Sequence, residues 1–162
     1  MENGFEKRLD AAMQEKARRD EEAAAKVRAE EQERIRREEE QARWQNAFAV
    51  DVQSVIRDVV EEMNRIVGPR GYAVDQVTSG FSGSGAAPLS YTARASGGQI
   101  ATETLTFALN IATGRVQVRL TRRQPVPDKA PLELSQEPIP VTEFTADDAR
   151  NVLAEWFEKL LA

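Results

Sequence analysis

The sequence predicts an α+β fold: a four-stranded antiparallel meander with two helices packed on one face, preceded by a long charged N-terminal helical extension. Three observations carry this reading. Every glycine and proline lies outside positions 5–67. Between 72 and 122, apolar and polar residues alternate with period 2, the spacing of half-buried strands. The stretches 46–67 and 146–161 place apolar residues at i, i+3, i+4 and i+7, the spacing of amphipathic helices.

The helix signal comes first along the chain. Gly4 precedes the breaker-free span, and Val67-Gly68-Pro69 ends it with a glycine cap and a helix-stopping proline. An unbroken helix there would be on the order of 95 Å long at ~1.5 Å per residue, a bend near Trp44 being the alternative. From Gln14 to Arg43 nearly every residue is Glu, Arg, Lys, Gln or Ala, and Val27 and Ile35 are the only large aliphatics. Such a stretch has little to bury. Propensity and i,i+4 ion pairs must hold it, namely Glu22–Lys26, Glu30–Arg34, Glu33–Arg37, Arg36–Glu40 and Glu39–Arg43, each contributing about 0.2–0.5 kcal/mol.

The seam Leu9, Met13, Lys16, Asp20, Ala23, Val27, Glu30, Arg34 is charged at half its positions, which suits a coiled coil poorly. Residues 1–44 therefore read as a charged helical extension, a spacer or weak coiled coil, continuous with the next helix. At its tip Phe5, Leu9, Ala12 and Met13 form a short apolar stripe for which the chain itself predicts no cover. Phe5, Leu9 and Met13 are the partner-binding residues expected there.

Residues 45–162 read as a small α+β domain. Helix 46–67 turns Phe48, Val52, Val55, Ile56, Val59, Val60, Met63, Ile66 and Val67 toward a core. Strands are expected at about 72–78, 89–96, 100–109 and 115–122. A two-residue Gly97-Gly98 turn would pair Tyr91 with Thr104 and split the apolar rows between faces. A three-residue loop Gly97-Gly98-Gln99 pairs Tyr91 with Leu105 and Leu89 with Phe107, so pattern overrides the dipeptide signal. The loop Ile111-Ala112-Thr113-Gly114 then sets Leu109 against Val116, Phe107 against Val118 and Leu105 against Leu120. Gln124–Pro140 holds five of the seven prolines and reads as an extended connection. Ile139–Phe144 offers an edge strand only, because Pro140 is barred from a central one. Thr145 with Asp148 three residues on is a capping-box start for helix 146–161, whose Val152, Leu153, Trp156, Phe157 and Leu160 share one face.

Composition narrows the chemistry. The 162 residues include no Cys and no His, which excludes disulfides, thiolate nucleophiles, Ser–His triads and Cys- or His-ligated metals. Formal net charge is −5, so bulk attraction to nucleic acid or anionic lipid is not expected. Met1–Arg8 has mixed charge and no apolar run, and no stretch approaches the roughly 20 apolar residues of a membrane span. A soluble cytoplasmic protein without membrane contact is expected. The glycine-rich Gly80–Pro88 lacks Gly-Lys-[Ser/Thr] and opens no helix, so it is a connection with Phe81 at its tip and no phosphate loop.

On the sheet face away from the helices, the register sets Arg94, Thr102 and Arg123 in one row and Ser90, Thr106 and Arg119 in another, with Arg115 at the end. Arg94, Arg115, Arg119 and Arg123 make a local basic patch suited to phosphate or carboxylate groups. The alternative is a plain solvated face, or one covered by Asp128, Glu133 and Glu137 of the connection. Glu103 falls on the apolar side with Arg122 directly opposite, which a cross-strand ion pair explains without catalysis.

The first functional reading is a non-enzymatic interaction protein whose long helix tethers or oligomerises the domain, its partner a protein or a second copy. The second is a nucleic-acid or phosphate-ligand binder using the arginine face, marked by salt-dependent binding. A carboxylate-based enzyme or carrier with a pocket of Tyr72, Tyr91 and Glu103 ranks last. No catalytic residue, metal or cofactor is assigned.

Overall fold

A computed structural model describes residues 3–78, 86–99, 103–122 and 132–162. The chain divides into two units, residues 1–40 and residues 41–162.

The first unit is the greater part of helix α1 (Gly4–Asn46), which has no buried residue anywhere along it. Asn3 caps its start, its backbone and side-chain oxygens accepting from the N–H groups of Glu6 at 3.0 Å and Phe5 at 3.3 Å. Arg18 bridges Glu15 and Glu22, and Arg34 bridges Glu31 and Glu38. The expected pairs Glu33–Arg37 and Arg36–Glu40 form at 3.1 and 3.5 Å. Arg34 turns to Glu31 and Glu38 rather than Glu30, and Glu22 to Arg18 rather than Lys26. An arginine with acids at both i−3 and i+4 spans two turns and takes both.

In the second unit the helix changes winding at a π-helical segment, Ala47–Val52, whose last turn is closed by Gln53 N–H on the Phe48 carbonyl. The wider turn re-phases the apolar stripe so that Phe48 and Val52 enter the core ahead of α2 (Gln53–Val67). This lies three residues beyond Trp44, near which the sequence leaves room for a bend. Trp44 itself, assigned from sequence to the extension, packs against the core. Helix α2 does not end on a left-handed Gly68, which has φ −55° and starts a 3₁₀ turn, Gly68–Arg70. Pro69 suits the first turn of that segment, and the left-handed residue is Gly71, at φ 88°.

The sheet follows as β1 (Tyr72–Val77), β2 (Leu89–Ala95), β3 (Gly98–Gln99), β4 (Glu103–Asn110), β5 (Arg115–Arg122) and β6 (Ile139–Pro140). Pairing is antiparallel in the order β1-β2-β4-β5-β6, with β3 beside β2. The expected four strands are thus five along the main path, β6 being the proline-bearing edge. The registers Tyr91↔Leu105, Leu89↔Phe107, Phe107↔Val118 and Leu109↔Val116 are those read from the period-2 pattern. The first hairpin is built differently from the three-residue loop. Ala95 pairs with Gly98 across a Ser96-Gly97 turn, whereas Tyr91 pairs with Leu105 in a register three residues further on; residues 100–102 lie outside the described residues. Gly98, at φ 136°, takes a conformation open to few other residues.

Leu89, Tyr91 and Ala93, Leu105 and Phe107, and Val116 form the inner face of the sheet. They share one core with Phe48, Val52, Ile56, Val59 and Val60, and with Val152, Leu153 and Trp156 of α3 (Ala146–Leu161). The Thr145–Asp148 capping box opens α3, as the sequence indicates. Asn64 of α2 exchanges two hydrogen bonds with the Val74 backbone, at 2.7 and 3.0 Å. It satisfies the peptide groups that edge strand β1 would otherwise present to a neighbour.

Candidate functional site

The surfaces with chemistry to offer are the helix tip, the outer sheet face, the Glu103 pair and a groove between α2 and α3. At the tip Phe5, Leu9 and Met13 are 65 %, 47 % and 62 % exposed. Four-residue steps place them on one face of the helix, and the same helix exposes Val27 and Ile35. From Glu15 to Glu40 the helix carries a run of surface ion pairs.

Those pairs have a pH signature. Hydrogen bonds from Arg36 and Arg37 pull the Glu33 carboxyl down to about 2. Arg18 and Arg19 lower Glu15, and Arg34 lowers Glu31. A carboxyl lowered in the folded state adds stability above its ordinary value and loses it as pH falls through the folded one. Far-UV ellipticity of the full chain should therefore lose helical signal on acidification from about 4.5 toward 2. High salt should weaken it in the same direction at neutral pH. A signal indifferent to both would show that the ion pairs do not hold this helix.

On the outer sheet face Arg94, Arg115 and Arg119 are engaged by neighbouring groups. Arg94 is bound by Asp75 of the neighbouring strand at 3.0 Å, which raises the guanidinium above its ordinary value. Arg115 donates to the Pro138 carbonyl at 3.0 Å, and Arg119 to Gln117 beside it at 2.8 Å. Ser90, Thr106 and Arg119 do share a row, with the Ser90 and Thr106 hydroxyls 2.8 Å apart. Arg94 stands opposite Gln99; Thr102 and Arg123 lie outside the described residues.

At Glu133 and Ser135 the connection is tied to α3, and at Pro138 it meets Arg115 of this face. Ser135 gives its N–H and hydroxyl to Glu155 of α3, at 2.8 and 2.9 Å, and Lys159 reaches the Glu133 carbonyl. These donors, Ser135 first, lower the Glu155 carboxyl. Glu133 and Glu137 are exposed. Asp128 and Phe81 lie outside the described residues.

Glu103 and Arg122 face each other as the register requires. Arg122 donates Nε and Nη2 to Glu103 Oε1 at 3.1 and 2.8 Å, and the Leu132 N–H joins them at 3.1 Å. Among the described residues, Glu103 Oε2, the Tyr91 hydroxyl and Trp156 Nε1 are buried without a hydrogen-bond partner. Burial raises the Tyr91 hydroxyl, against a smaller pull from Arg57. The Tyr72 ring meets Phe157 edge-on at 5.5 Å.

The groove was not anticipated. It measures about 320 Å³ and runs between α2 and α3, floored by Val59, Met63, Leu153, Ala154 and Phe157 with Ile66 beside them. Glu62, Arg150 and Glu158 stand on its rim. Ile66, read from sequence as core, is 61 % exposed. The signal for it is the width of the α2 stripe. Seven apolar positions, from Val55 to Val67, span a broader arc than one sheet covers, so the residues at its edge are left beside α3. No family model, curated protein or solved structure matches this chain.

Proposed function

We propose that the protein is a non-enzymatic interaction protein in which the long charged helix joins the α+β domain to another chain, a second copy or a different protein. The observation that supports this is a helix of 43 residues that buries none of them while exposing Phe5, Leu9, Met13, Val27 and Ile35. A segment that adds only Trp44, near its end, to a core and keeps an apolar stripe in water is kept for what it meets. The ion pairs give the helix its own means of staying wound without a partner, so it presents that stripe already ordered.

Truncation tests the reading, and the packing of Trp44 sets where to cut. Deleting residues 1–44 would strip an indole from the core, so the chain should begin at Gln41. That variant should unfold cooperatively near the parent midpoint, while light scattering shows any assembly of the full chain gone. An oligomeric state unchanged by the deletion would count against the helix as the joining element.

A further inference from the structure

The groove between α2 and α3 and the tip of α1 match each other in character. The groove has an apolar floor and a charged rim. The tip offers three apolar side chains at four-residue steps, all exposed. A helix laying such anchors into a groove between two others is a recurrent recognition mode. Charge sets the register. On the rim, Glu62 is taken by Arg150 at 3.0 Å, and Arg150 also by Asp147 at 2.8 Å. Glu158 is left without a partner among the described residues. On the tip, Arg8 stands beside Leu9 and is likewise without a partner among them.

We propose that the α2–α3 groove receives the N-terminal helix tip of a second copy of this chain, with Phe5, Leu9 and Met13 entering the groove and Arg8 meeting Glu158. The proposal rests on the interaction reading above and names the acceptor site for it. Donor and acceptor are different patches, so the contact is head-to-tail. Each added copy brings a free tip and a free groove, and assembly grows or closes into a ring instead of stopping at a symmetric pair. Three anchors make a small interface, so association is weak and concentration-dependent.

The test uses full-length chains in sedimentation velocity over a range of concentrations. Leu9→Glu spoils the tip and Ile66→Glu the groove, both at positions exposed enough to leave the fold intact. Each variant alone should stay monomeric where the parent assembles. Mixed in equal amounts they should form a one-to-one dimer and nothing larger, the good tip of one entering the good groove of the other. Arg8→Glu and Glu158→Arg should each weaken assembly about tenfold or more, and combining them in one chain should restore it. If Ile66→Glu assembles like the parent, the helices associate along their own length; the groove proposal then falls while the interaction reading stands. A parent chain monomeric at every concentration overturns the groove proposal, whether or not the tip occupies its own groove. It also removes self-association from the broader reading.

Discussion

Arg122→Met should destabilise the α+β unit by about 3–5 kcal/mol. The Glu103 carboxylate is 2 % exposed and the Arg122 side chain 16 % exposed, with 2.8 Å between them. Removing the guanidinium leaves a buried anion whose one remaining donor among the described residues is the Leu132 N–H. That group alone does not balance the lost hydration of a carboxylate. The penalty belongs to the orphaned charge more than to the pair's own worth. Glu103→Leu with Arg122→Met should therefore recover most of the loss, since neither charge then remains to be solvated. Urea unfolding of the two single variants and the double variant measures this. A cost for Arg122→Met below about 1 kcal/mol, the range of exposed pairs, would mean that water reaches the carboxylate.

Gly114→Ala should cost about 2–4 kcal/mol, from two sources that a methyl group meets together. Gly114 lies at φ 66° in the turn between β4 and β5, where an L side chain costs roughly 1–2 kcal/mol. A Cβ built there would also lie 2.6 Å from Cδ2 and 2.8 Å from Cζ2 of the Trp44 indole, an overlap of the kind that costs about 1–3 kcal/mol in a packed core. The backbone has no room to yield. Gly114 N–H donates to the Asn110 carbonyl at 2.8 Å, and the Gly114 carbonyl accepts from Val141 N–H at 2.8 Å. Trp44→Ala should be costly alone, yet the double variant should lose less than the two losses added, because the overlap vanishes with the ring. A Gly114→Ala variant within 0.5 kcal/mol or so of the parent would show that the indole does not rest on the glycine.

The sheet register was legible because period 2 is unforgiving. A one-residue slip at Tyr91 or Phe107 would turn every apolar side chain of the strand into water. The Glu103–Arg122 pair follows from the same arithmetic. The Thr145–Asp148 cap was legible because a capping box is local, its donors and acceptors all within one turn. The turns were less so. A glycine announces freedom without saying where it is used, and Pro69 let the helix run one short turn past Gly68 to Gly71. Of the candidate site, the exposed tip residues and the row of Ser90, Thr106 and Arg119 were legible from helix and strand periodicity. That Asp75 engages Arg94 was not, since it depends on which strand lies alongside.

What this sequence determined by itself is everything governed by neighbours a few residues apart. The breaker-free charged helix, the alternating strands, their faces and the cap of α3 all belong here, because periodicity and backbone chemistry act at that range. Tertiary structure alone decided that Trp44 would cover Gly114, that a π turn would re-phase the stripe at Phe48, and that Ile66 would stand beside an open groove. These depend on how much of a helix a five-stranded sheet can cover, a matter of area and shape between elements distant in the chain, which no local pattern encodes.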